Sequence, residues 1–215
     1  DDIFTTEQER QEKDLERIKD INIDDIDSFP NHPFNVVENE DLYNLRDSIV
    51  EKGVISPILV RPKNNGRYEV ISGHRRMYAS KLADKYTIPC IVRNLSNDEA
   101  IIAMVDSNLQ REHILPSEKA FAYQMKLEAE KHQGKKTYLS SCQVGTKYRT
   151  DFKIANQVGD SARQIQRYIR LTKLIKPLLD MVDEEKIAFS PAVEISFLTK
   201  EEQDKLIVEY SMGMK

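Results

Sequence analysis

The sequence predicts an α+β chain, a small N-terminal α/β domain followed by an all-helical domain. Three observations carry this. Between residues 21 and 105, short β-type runs alternate with helical periodicity. After Pro116 every periodic segment is helical. The charge changes along with the pattern: the chain is −4 overall, yet residues 131–176 hold eleven Lys/Arg against only Asp151 and Asp160. The flanks are acidic, with eleven acidic and four basic side chains in residues 1–30. A basic window inside an acidic protein is the footprint of a phosphate-backbone contact surface.

At 215 residues and 40% apolar content the chain can build two modest cores. No run approaches 18 apolar residues and no signal-peptide pattern opens the chain, so the expectation is a soluble cytoplasmic protein. Cys90 and Cys142 have no paired spacing, which argues against a disulfide framework or zinc cluster. The chain opens Asp-Asp and stops at Met-Gly-Met-Lys after a helical pattern, so it reads as part of a longer protein.

Each element has its own signal. Residues 1–20 are charged with few apolar anchors and read as a tail or frayed helix. Ile21, Ile23 and Ile26 read as one short strand. Asn39 is an N-cap, Leu42, Leu45 and Ile49 share a face, and Gly53 is the stop. Ile58–Val60 and Tyr68–Ile71 are strands around the turn signal Asn64-Asn65-Gly66. A helix from about Arg75 to Asp84 leads to a strand over Ile88–Val92. Asn97-Asp98-Glu99 starts a helix carrying Ala100, Ile101, Met104 and Val105. Pro116 suits a first turn, and Glu118–Lys131 continues with Phe121, Met125 and Leu127. Residues 132–150 lack periodicity and read as a loop, and short helices follow to Tyr210. The organisation is thus a segment 1–20, a domain 21–112, a connecting helix and loop 113–150, and a helical domain 151–215.

Two segments carry chemistry. Ser72-Gly73-His74-Arg75-Arg76 stands where a strand hands over to a helix. Glycine lets backbone approach a ligand there, the helix end offers N–H groups, and arginine forks match phosphate oxygens. Residues 151–170 place Ala155 at a helix crossing, Gly159 at a turn, and Ile154, Val158, Ile165 and Ile169 on a locking face, the pattern of a helix-turn-helix. Arg163, Gln164, Gln166, Arg167 and Arg170 then point outward, with Ser161 at the start of the second helix. Arginine and glutamine read guanine and adenine edges in the major groove.

Three segments together resemble the ParB family of DNA-partition proteins. Gly53–Arg61 is similar to its G-x-x-Q-P-I-x-V-R stretch. Gly73-His74-Arg75-Arg76 is similar to its G-E-R-R phosphate motif. Ser107–Glu112 is similar to its E-N-L-Q-R-E box, followed by Leu115–Ala120 as Leu-x-Pro-x-Glu-x-Ala. The resemblance covers roughly residues 21–200, with a look of plasmid or conjugative-element members. It implies a ParB/sulfiredoxin-like fold for the N-terminal domain, and a nucleoid- or plasmid-associated bacterial protein. It also implies a homodimer that recognises a palindromic site on double-stranded DNA and closes as a clamp gated by CTP and Mg²⁺, with a ParA-type ATPase as partner. Carried onto this chain, Ser72, Gly73, His74, Arg75 and Arg76 would hold the triphosphate, and Ile55, Ser56 and Pro57 would lie near the base. Ser107, Asn108 and Arg111 would complete the pocket, with Asn108 on Mg²⁺.

The departures bear on turnover. His74 and Ser107 replace glutamates, and Ser56 replaces a glutamine. His32-Pro33-Phe34 stands where the family shows Gln-Pro-Arg. Serine supplies neither a full negative charge to Mg²⁺ nor a base near neutral pH, so binding survives the comparison better than CTP hydrolysis. Sulfiredoxin chemistry is excluded because Gly73 occupies the place of that enzyme's cysteine. The alternatives are a helix-turn-helix transcription regulator without turnover, and a ParB-fold nuclease or phosphotransferase. The latter would draw on Asp106 and Glu112.

Overall fold

The computed structural model describes residues 18–34, 36–111, 113–138 and 150–213. The N-terminal charged segment up to residue 17, Glu112, Cys142 and the basic stretch 139–149 lie outside the described residues. The chain divides into two compact units that meet between Ser96 and Asn97.

The first unit is built on a five-stranded sheet in the order β1-β5-β3-β4-β2. Its strands are β1 (Ile18–Asn22), β2 (Ile26–Asp27), β3 (Ile58–Pro62), β4 (Tyr68–Ser72) and β5 (Thr87–Val92). β1 pairs antiparallel with β5, and β3 runs parallel to β5 and antiparallel to β4. β2 closes the other edge, parallel to β4. The single strand expected over Ile21–Ile26 is two strands on opposite edges. Asn22 ends the first by accepting a hydrogen bond from the Asp24 N–H at 3.0 Å, which caps a 3-10 turn over Ile23–Asp25. Ile21, Ile23 and Ile26 are all buried, so the apolar pattern is kept while the backbone switches edge. Four Cα steps reach at most about 15 Å, whereas four strand spacings across a flat sheet need roughly 19 Å. The sheet is therefore curled.

Inside the curl pack Ile21, Ile23, Ile26, Ile58, Val60, Val70, Met77, Ile88 and Cys90. Cys90 is fully buried and burial pushes its thiol up to about 12, which makes it packing material rather than a nucleophile. Among the described residues two helices accompany the sheet. α1 (Glu40–Lys52) starts at Asn39, whose side chain accepts from the Leu42 N–H at 3.1 Å, and stops at Gly53. α2 spans His74–Leu82 and packs its Ala79 with Leu42 and Ile49 of α1. The β3–β4 hairpin closes through Lys63 N–H to the Arg67 carbonyl at 2.8 Å, with Gly66 at φ +80°. Asp27 ties that hairpin to the edge strand by pairing with Arg67 at 2.6 Å and Lys63 at 2.8 Å.

The second unit is helical throughout its described residues: α3 (Asn97–Leu109), α4 (Pro116–Tyr138), α5 (Thr150–Val158), α6 (Ala162–Leu171), α7 (Lys176–Asp183), α8 (Phe189–Ile195) and α9 (Lys200–Ser211). α4 runs seven residues past the expected end at Lys131. Those residues are polar, so no apolar period announces them, although little in them opposes a helix. Asp183 caps α4 from α7, accepting from the Ser117 N–H at 2.9 Å and its hydroxyl at 2.5 Å. One core joins Ala120, Leu171, Leu174, Leu178, Leu179, Val182, Ala192 and Val193. Gln203 is buried beside it with every arm used: its carbonyl accepts from the Ile175 N–H at 2.9 Å, and its amide donates to the Leu198 and Lys173 carbonyls at 3.0 and 3.3 Å. Among the described residues no helix is long and apolar enough to cross a membrane.

Candidate functional site

The first candidate is the corner between β4 and α2. Gly73 is the N-cap, with φ +105°, and supplies no side-chain cap. A Cβ there would come within 2.5 Å of Ile58 Cγ2 and 2.9 Å of Ile58 Cβ, so the glycine is required by backbone angle and by packing together. The Met77 N–H makes the first helical bond to the Gly73 carbonyl at 3.0 Å, and the preceding N–H groups lie at the open, positive end of the helix.

The two arginines do different work. Arg75 is half-buried and, among the described residues, has no hydrogen-bond or ion-pair partner. Arg76 turns back into the unit. Its Nη1 donates to the Ser56 carbonyl at 2.5 Å, the Pro57 carbonyl at 2.8 Å and the Ser56 hydroxyl at 3.0 Å. Burial lowers its pKa by penalising the charged form. Sequence reasoning grouped Ser56 and Pro57 with Arg76 as ligand contacts. The structure brings them together as an arginine clamp on the loop, beside an Ile55 side chain that is 80% exposed.

His74 is buried at the first position of α2 and lies against His32, with ring centroids 3.8 Å apart and planes tilted by 47°. His32 in turn holds the Phe34 carbonyl through Nδ1 at 2.6 Å. The departure from the family pattern at residues 32–34 and the departure at 74 therefore meet as one aromatic cluster. Neither residue signalled that pairing in the sequence, because 42 positions separate them.

Ser107, Asn108 and Arg111 lie in the second unit, at the end of α3. Asn108 is buried, and its amide nitrogen donates to the Met104 carbonyl at 2.7 Å, so its carbonyl oxygen is the atom that could face a cation. The Ser107 hydroxyl donates to the same carbonyl at 2.9 Å. Asp106 is held at 2.5 Å by Lys126, a lysine with no exposed surface. Among the described residues there is no cluster of three or more His, Cys, Asp or Glu suited to a metal ion.

The second candidate is the pair α5–α6. Gly159 turns at φ +79° and its N–H bonds the Ala155 carbonyl at 3.0 Å. Tyr123, Ile154, Ala155 and Ile165 form the locking core. Asp160 in the turn accepts from the Tyr123 hydroxyl at 2.5 Å and from Lys119 Nζ at 2.7 Å, both on α4. Burial pushes the Asp160 carboxyl up, but those two bonds outweigh it and hold the group below its ordinary value. Sequence reasoning missed this latch. It gave Asp160 only a count in the charge balance.

The expected outward residues divide. Ser161 caps α6 by accepting from the Gln164 N–H at 3.1 Å. Arg163 is exposed and has no partner among the described residues. Gln166 donates to Asp151 at 3.2 Å. Arg167 bonds Gln164 at 3.3 Å and Ser190 at 2.7 Å, and Arg170 bonds the Ser196 carbonyl at 2.8 Å.

Comparison with known proteins agrees with this architecture. The family model for the ParB N-terminal domain matches residues 7–109. A probable chromosome-partitioning protein ParB of Helicobacter pylori is 31% identical over 218 residues, covering 100% of this chain and 69% of the relative. A probable chromosome 1-partitioning protein ParB of Deinococcus radiodurans is 35% identical over 190 residues, 88% of this chain; the match spans only 59% of that relative's length. Among solved structures, a C-terminally truncated ParB from Caulobacter crescentus complexed to the centromeric parS site shares the fold. Its TM-score is 0.53 at 22% identity, covering 87% of this chain and 97% of that one. With a 31%-identical relative matched over more than two thirds of its length, the chain belongs to the ParB family.

Proposed function

We propose that this chain is a sequence-specific DNA-binding partition protein whose α/β unit binds a nucleoside triphosphate, CTP, as the gate of a dimeric clamp. The observation that carries the DNA half is Arg163. It stands exposed, with no partner among the described residues, near the N-terminus of α6, the part of a recognition helix that meets base edges. The relatives' names as chromosome-partitioning proteins support partition as the process. A homodimer on a palindromic site and a ParA-type ATPase partner belong to the same reading.

For the nucleotide half, the α2 N-terminus and Arg75 fit a phosphate group. The helix end offers N–H donors and Arg75 offers a charged fork with no partner among the described residues. Arg76 serves as a positioning residue, since its clamp on Ser56 and Pro57 shapes the loop that carries Ile55. Asn108 would offer Mg²⁺ a single neutral oxygen donor. Ser107 directs its hydroxyl back to its own helix and brings no carboxylate, which supports binding with slow or absent hydrolysis.

The DNA half is tested by selection from a random double-stranded library, followed by anisotropy with the enriched duplex. Arg163→Ala should lower affinity about tenfold or more. No enrichment, or unchanged affinity in the variant, rejects this reader. The nucleotide half is tested by calorimetry with CTP, ATP and GTP in Mg²⁺, with and without the enriched duplex. Absence of binding to all three leaves the plain regulator reading.

A further inference from the structure

Arg163, Arg167 and Arg170 follow the i, i+4, i+7 spacing that puts them on one stripe of α6, opposite the buried Ile165. The first has no partner among the described residues. The other two are each held twice, by opposite ends of the short helix α8. At its start, Ser190 accepts from Arg167 Nη2 at 2.7 Å while the Arg167 guanidinium lies 4.9 Å from the Phe189 ring centroid. At its end, the Ser196 carbonyl accepts from Arg170 Nη2 at 2.8 Å while the Arg170 guanidinium lies 4.0 Å over Phe197. Phe197 is 64% exposed, so it contributes little to the core of the unit.

A guanidinium has five N–H donors, so Arg170, tied through Nη2, and Arg167, tied through Nη2 to Ser190 and through Nη1 to Gln164, each keep N–H groups beyond those bonds. Their rotamer freedom is already reduced, and that is the cost which otherwise weakens an arginine contact. We infer that α8 is a bracket that pre-organises Arg167 and Arg170 for DNA, with Ser190 and Phe197 as positioning residues that do not touch the DNA themselves. Arg167, the closer of the two to the start of α6, is placed for a base edge, where arginine pairs with guanine. Arg170, one turn further, is placed for a phosphate. The inference rests on the DNA-binding reading above.

The test uses the whole chain and a fluorescein-labelled duplex selected from a random library. Ser190→Ala should weaken binding about three- to tenfold. It should also narrow the discrimination between the selected duplex and copies with one G·C pair replaced. Phe197→Ala should weaken binding by a similar factor evenly across sequences and reduce the salt slope by about one. Phe197→Tyr, which keeps the ring, should bind as wild type. In Arg167→Ala and Arg170→Ala backgrounds respectively, Ser190→Ala and Phe197→Ala should each change affinity less than about twofold. Full losses in those backgrounds would overturn the bracket, as would no loss in either single variant. A wild-type chain that enriches nothing from the library rejects the DNA reading itself. An enriched site with a failed cycle rejects only the bracket.

Discussion

Replacing Gly73 by alanine separates what the fold requires at the corner from what a ligand would require. Two costs add. The backbone sits at φ +105°, which an L side chain tolerates at about 1–2 kcal/mol. The new Cβ would lie 2.5 and 2.9 Å from two atoms of Ile58, a core residue of β3 with no exposed surface. Overpacking of that kind costs about 1–3 kcal/mol. The expected loss is therefore about 3 kcal/mol, and with a urea m-value near 2 kcal/mol/M the midpoint falls by about 1.5 M. Urea titration followed by far-UV circular dichroism measures it, and hydrogen exchange of the β3 and β4 amides assigns the change to the first unit. The decisive step repeats the substitution in an Ile58→Ala background. That change removes Ile58 Cγ2, the nearer clashing atom, and leaves Cβ, so the Gly73→Ala penalty should fall by about 1 kcal/mol or more toward the backbone part. Equal penalties in both backgrounds, or a loss below about 1 kcal/mol in the native one, would refute this account of the glycine.

Gln203→Leu removes three hydrogen bonds and leaves the Ile175 N–H and two carbonyls to find water. The expected loss is about 3 kcal/mol, read as a lowered Tm of the second unit. Asp160→Asn breaks the charge pairing with Lys119 and should cost about 1–2 kcal/mol at neutral pH. Because the folded pKa is depressed, that difference should disappear in acid, as the native carboxyl protonates. Asp27 is held at about 2 by Arg67 and Lys63, so its contribution is fully present above its ordinary value of 3.8. It should be lost as pH falls toward about 2, and Asp27→Asn should flatten the melting-temperature curve across that window.

Local chemistry made much of the fold legible. Asn39 and Gly53 bound α1 because capping acts within one turn, and Asn64-Asn65-Gly66 marked the hairpin for the same reason. Ile21, Ile23 and Ile26 misled because burial looks alike in a strand and in a 3-10 turn, while the cap at Asn22 that decides between them is a single side chain. The polar end of α4 carried no apolar period to read. In the sites, residue identity was legible but partnership was not. Arg76, Arg167 and Arg170 all looked like ligand-facing cations, and each has an internal partner 19 to 26 positions away in sequence. Only the folded chain decides whether an arginine holds a ligand or holds its own loop.

The sheet has its two earliest strands on its two outer edges. Ile18 pairs with Ile91 and Ile26 with Tyr68, so each early strand waits for a partner made much later. At roughly 5–20 residues per second, the ribosome leaves β1 unpaired for about 4–14 s. Throughout that interval an isoleucine-rich segment is available to any other sheet edge nearby. The hairpin between β3 and β4 can form from its own turn meanwhile, which gives β2 an edge to join before β5 is complete. Synthesis order thus makes β1 the last piece to dock, and the segment most in need of shielding while the chain is being made.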